Sequence, residues 1–208
     1  MSFNVMALPR RRLLVWGPAT TALALLWPSS VLAHDGAARA GGFFAGFLHP
    51  LTGLDHALAM VAVGVWGAFL GRPLIVALPM LFPAAMVVGA GLAMAGAPAP
   101  PVEIGIALSV LLLGALIAAG VRAPVWLACA IVGAFAIFHG FAHGRELPGA
   151  ADPVAFSAGF VLATGLLHGA GIGIGLLHAH PAGKTVARVL GGAIGLAGCA
   201  FLLGAVAR

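Results

Sequence analysis

The sequence predicts an all-α polytopic membrane protein, with six transmembrane helices following a cleavable signal peptide. Composition is the first observation: of 208 residues, 62% are hydrophobic and 7% charged, where an ordinary soluble domain has roughly a quarter of its residues charged. The second is length, since the apolar runs approach the roughly 20 residues that a helix needs to cross a bilayer. Third, Pro, Gly and the few charges punctuate the chain between those runs. A single membrane domain over residues 34–208 is therefore expected, with little chain left for a soluble one.

At the amino terminus, Arg10, Arg11 and Arg12 precede an apolar stretch ending at Trp27, followed by "PSSVLA" and "HDG". That order of charge, short apolar core and small residues predicts a signal peptide over 1–33, cut after Ala33. Cleavage would expose His34, whose α-amine and imidazole together chelate one nickel, copper or zinc ion. An uncleaved first helix, giving a seventh span, is the alternative. Beyond it, helices are expected near 52–71, 74–96, 102–120, 124–143, 153–177 and 185–207. The piece "GGFFAGFLHP" is too short to cross alone; Pro50 suits the first turn of the helix after it, putting His49 at a helix entrance.

Cleavage places the mature amino terminus outside. The loops at Arg72, at Arg122 and around Lys184 and Arg188 then lie in the cytoplasm, and they carry four bases and no acid. Outside stand Arg39, Arg145 and Arg208, so the positive-inside bias agrees by one residue.

Several classes are excluded on composition and motif. The net charge of +5 comes from scattered bases with one cluster at Arg10 to Arg12, which leaves no footprint for nucleic acid. Cys129 and Cys199 sit in separate apolar runs without a CxxC pairing, so neither a disulfide framework nor a thiolate zinc site is expected. There is no phosphate-binding loop for direct ATP coupling. No serine stands in a nucleophile elbow either, and an enzyme is not expected.

Sorting the polar residues by depth turns a list into a site. His49, Asp55 and His56 open the first span from outside and Glu103 opens the third; His139 and His143 close the fourth, with Glu146 just beyond. All converge on one membrane face. Ionisable groups inside spans are costly and usually face an interior or an ion path, so these residues predict a metal-binding vestibule. His139 and His143, four apart, share a helix face. Asp55 and His56 are adjacent and diverge by about 100°, so one can ligate while the other orients an imidazole. Imidazole with carboxylate favours Ni, Co, Zn or Fe over Mg or Ca. Met60 reads as core packing. Glu103 in a first turn is also what a helix dipole favours, and Glu146 and Asp152 also fit ordinary loop solvation.

Deeper in the fifth span, His168 suits a relay. The pairs Gly169 with Gly173 and Gly171 with Gly175 predict close helix approach, as do Gly191 and Gly195 in the sixth span. His178 and His180 fall at the cytoplasmic end; there His178 either receives an ion or sits in a solvated loop, and the loop is favoured.

"HPLTGLDHALAMVAVG", "FHGFAHGRELP" and "GFVLATGLLHGAGIGIG", following a signal peptide, resemble the HupE/UreJ proteins, small accessory permeases associated with hydrogenase and urease systems. The resemblance covers nearly the whole mature chain. It implies a six-span importer of Ni2+ or Co2+ in the bacterial inner membrane, with no organic cofactor and with metalloenzyme maturation proteins as partners. His49, Asp55 and His56 match the family's HPxxGxDH pattern, and His139 and His143 its HGxAHG pattern. Glu146 stands where the family commonly has an acid, and "VEIGIALSV" around Glu103 looks like its third span.

Two other functions remain open at the level of sequence. Histidines on facing spans also ligate haem, although here carboxylates are mixed among them. A membrane protein that stores or hands over metal without transporting it would use the same first site.

Overall fold

The computed structural model describes residues 42–146 and 152–207. The expected signal peptide, His34 and residues 147–151 lie outside the described residues. Within them the chain forms seven α-helices: α1 Gly42–Thr52, α2 Leu54–Leu70, α3 Leu74–Met94, α4 Val102–Ala119, α5 Val125–Glu146, α6 Pro153–Leu176 and α7 Pro181–Val206, with a 3-10 turn at Leu177–Ala179 before the last. The helices α3 to α7 are each long and apolar enough to cross a membrane, and α1 with α2 makes a sixth candidate bent by 79°. The protein is a polytopic, all-helical membrane protein.

The first span differs from its expected form. Pro50 lies inside α1 rather than opening α2, and the break falls at Gly53, which has extended backbone. The first turn of α2 leaves little space beside Gly53. A Cβ there would sit 3.2 Å from His56 Nδ1 and 3.3 Å from Asp55 Oδ1, so glycine lets the chain turn while those two side chains fold back against it. The helix α2 alone, with 17 residues, rises about 26 Å, short of a hydrocarbon core of about 30 Å. With a bend of 79° between them, α1 lies nearly across the axis of α2 and adds little to that rise.

The central element is α2. Ala59, Met60, Ala62, Val63 and Trp66 are fully enclosed, and the helix packs against α1, α3, α4, α6 and α7. Around it the pairs α3 with α5, α4 with α7, and α1 with α6 pack closely. Met60 belongs to the core that joins it to Leu78, Phe82, Leu113 and Val132. Outward faces carry large apolar side chains, among them Met80, Val87, Trp126, Leu166, Val189 and Leu203. Such a surface is suited to lipid.

Close approach is resolved glycine by glycine on α6. Gly171 and Gly175 face α2, and a Cβ on Gly171 would collide with the Val61 carbonyl, as one on Gly64 would with the His168 carbonyl. Gly169 and Gly173 meet nothing within 4 Å, so only one of the two expected pairs is a packing device. Gly191 packs on Ile117 and Ala118 of α4, and Gly195 lies near Gly114 and Ala115.

Candidate metal site

Three local features bring the histidines together. The break at Gly53 swings α1 back over α6, where His49 rests on Phe156 and Phe160 with ring centroids 5.5 and 6.0 Å away. Directly after the break, Asp55 and His56 occupy the first turn of α2. The helix α5 runs to Glu146 instead of ending at residue 143, which places that carboxylate one turn from His143 on the same face.

His49, His143 and Glu146 are the only three residues among those described whose donor atoms lie close enough to share one ion. His49 Nε2 is 3.1 Å from His143 Nδ1 and 3.2 Å from Glu146 Oε2, and His143 Nδ1 is 3.3 Å from the same oxygen. Both imidazoles are buried, while the carboxylate is partly exposed at 37%. The triangle therefore has an enclosed side and an open side.

Behind it lie two more imidazoles. The His56 ring is 4.7 Å from that of His143 and 5.1 Å from that of His139. His56 Nδ1 donates to Asp55 Oδ1 at 2.8 Å, and the same oxygen accepts the His56 backbone N–H at 2.9 Å. His139 Nδ1 donates to the Phe135 carbonyl at 2.9 Å. In a neutral imidazole one nitrogen donates and the other carries a lone pair, so both rings present Nε2 as a free lone pair. Among the described residues, Nε2 of His56, His139 and His143 is buried with no hydrogen-bond partner. Buried polar atoms are nearly always paired. Three such nitrogens in one cluster are lone-pair donors of the kind that can ligate a cation.

The expected site residues separate into groups. His49, His143 and Glu146 form the triangle, whereas Asp55 orients His56 and belongs to no three-donor group among the described residues. His139 is wholly buried. Glu103 is exposed in the first turn of α4 and joins no such group among the described residues. His168 is buried further along α6. His178 sits in the 3-10 turn, where its Nδ1 donates to the Gly175 carbonyl at 2.7 Å. Asp152 caps α6, accepting from the backbone N–H groups of Val154 and Ala155. Sequence reasoning missed Phe82, whose ring stands 5.2 Å from His139 and 5.4 Å from His168; an apolar residue in an apolar span gives no signal. It also missed Thr164, which the spacing of four from His168 does signal.

Comparison with known proteins identifies the family. The model of a family described as HupE / UreJ protein matches residues 22–201. The chain is 46% identical over 185 residues to Protein HupE of Rhizobium leguminosarum bv. viciae, an alignment covering 89% of this chain and 96% of that protein. No solved structure matches. With the match extending over all seven described helices but the last residues of α7, the chain belongs to the HupE/UreJ family.

Proposed function

We propose that the protein is a secondary permease that admits Ni2+ or Co2+ at its histidine-bearing end and carries it across the bacterial inner membrane for metalloenzyme maturation. The observation that carries this reading is the donor triangle of His49, His143 and Glu146, with edges of 3.1, 3.2 and 3.3 Å. An ion about 2.1 Å from each donor would stand about 1 Å out of their plane, with its remaining positions open to water or to further ligands. Two imidazoles and one carboxylate suit borderline divalent metals rather than Mg2+ or Ca2+. The carboxylate on the open side draws the cation in, and the imidazoles replace its water.

His143 links two stages. Its Nδ1 lies in the triangle, and its Nε2 is unpaired in the cluster with His56 and His139. For this ring to serve both stages, the ion must leave Nδ1 and the ring proton must move from Nε2 to Nδ1 before Nε2 can ligate. Cleavage after Ala33 would put the triangle on the periplasmic side and add the His34 amine and imidazole to the entrance.

The test is uptake of radioactive nickel and cobalt into cells that lack their own importers, with and without this chain. Accumulation above the control is expected. Binding by the purified protein without accumulation would instead mark a metal-holding accessory protein. Sidedness is read by cysteine labelling: Arg145→Cys should react with an impermeant thiol reagent from the periplasm and Arg122→Cys should not.

A further inference from the structure

Past the histidine cluster, α6 carries Thr164 and His168, which are one turn apart and so share a helix face. Both are buried, at 1% and 2% exposure. Neither Thr164 Oγ1 nor His168 Nε2 has a hydrogen-bond partner among the described residues. An unpaired buried polar group costs about 1–3 kcal/mol, and two on one turn of a membrane helix are not explained by packing, which valine and leucine would serve as well. Thr164, though not His168, also lines an open cleft of about 320 Å³ among α3, α5 and α6. His143 lines the same cleft, whose wall is otherwise largely apolar, with Pro83, Met86 and Phe160 among its members. On the other side, the Phe82 ring contacts both His139 and His168, its plane steeply inclined to each.

We propose that Thr164 and His168 form an inner station for the transported divalent cation, with Phe82 between His168 and His139 and with Thr164 reached from His143 along the shared cleft. This rests on the permease reading. The donor set is one imidazole nitrogen and one hydroxyl oxygen, with the other positions left to water. The helix α6 carries no acid between Pro153 and Leu176. With fewer protein ligands and no carboxylate, the inner station holds the ion more weakly than the triangle does, which lets it leave: conduction needs sites favourable enough to fill and weak enough to empty.

A thiolate placed at the station reports metal contact directly. The full chain carrying His168→Cys, purified and titrated with Co2+, should gain a near-ultraviolet thiolate-to-cobalt charge-transfer band that is absent from the wild type, whose own cysteines serve as the control. Thr164→Cys should show the same band, which guards against one variant failing to fold. Because a thiolate prefers soft ions, Cd2+ should block nickel uptake by His168→Cys at concentrations at least tenfold lower than for the wild type. Absence of the band in both variants, while the cobalt spectrum of the outer cluster persists, overturns the inner station and leaves the permease reading intact. Bands in a protein whose wild type shows no nickel flux have the opposite meaning: the station stands as a binding site and transport falls.

Discussion

The two ends of the bundle treat polar side chains in opposite ways. At the arginine-bearing end, Arg188 donates to the carbonyls of Ala118 and Ala119 at 2.8 and 3.2 Å, and Trp66 Nε1 donates to the Val121 carbonyl. His178 does the same for Gly175, and Arg122 lies 5.7 Å from the centre of the Phe69 ring. The carbonyl acceptors lie at or beside the carboxyl ends of α4 and α6, where the last turns leave carbonyls without helical partners. Structure alone explains them. At the histidine end the side chains face one another, and three imidazole nitrogens are left without any partner among the described residues. The contrast distinguishes polar groups that complete a fold from those to which the proposed function assigns an ion: the former are satisfied by backbone, the latter are oriented by one atom and left open at another.

The largest break in that contrast should come from His143→Ala. It removes one corner of the triangle and the ring that touches His49, His56 and Phe160. Initial nickel uptake, normalised to membrane abundance, should fall by at least about 100-fold, beyond what loss of a merely orienting group costs. Uptake surviving at a tenth of normal would show that the triangle is not on the ion's route.

Next in size is Asp55→Asn. The carboxylate fixes His56 Nδ1 as the donor and so frees Nε2, whereas an amide can turn its NH2 toward the ring and favour the other tautomer. Groups that orient a ligand are typically worth 10- to 100-fold in metal affinity. The apparent KM for nickel should rise by about that factor, with rates recovering at high external metal. An unchanged KM would make the Asp55 contact a helix-start device and nothing more.

How much of this was legible depends on what each residue could signal. Histidines and acids in an apolar chain are conspicuous, and counting span ends placed His49, His56, His139 and His143 on one face without any geometry. The 79° bend was not legible, because α1 is only 11 residues long and its proline looked like a start signal. Glycine at 53 carries the bend, but in a chain with 31 glycines one more gives little local information. The reach of α5 to Glu146 was missed for a related reason: "HGRELP" reads as a loop by its charges, whereas the carboxylate's partners include a histidine on another helix. The glycine pairs of α6 were half legible, since spacing cannot tell which face of a helix meets a neighbour.

That last point yields a smaller test. Gly64→Ala sets a methyl against the His168 carbonyl on a neighbouring helix and should cost about 1–3 kcal/mol, the usual range for overpacking. Gly169→Ala meets open space and should be neutral or gain up to about 1 kcal/mol from helix propensity. Thermal unfolding of the two purified variants in one detergent measures the difference. Equal stabilities would mean that α2 and α6 do not cross as closely as Gly64 and Gly171 indicate, and with that the placement of His168 beneath the outer cluster would fall.

The smallest effect is expected at the opposite end, and it is the sharpest check on the comparison. His178→Ala removes one hydrogen bond to the Gly175 carbonyl and a ring contact with Phe69 at 5.3 Å. A typical hydrogen bond contributes about 1 kcal/mol to stability, and the carbonyl left behind ends a helix at the bundle's edge, where water can replace the imidazole. Nickel uptake should therefore change by less than about twofold, an energy of about 0.4 kcal/mol, while stability drops slightly. His178→Gln offers a further control, because its amide can donate to the same carbonyl without an imidazole lone pair. Stability should return with glutamine if the role is structural. A loss of uptake comparable to that of His143→Ala, and not restored by glutamine, would place His178 on the ion's path and erase the distinction between the two ends.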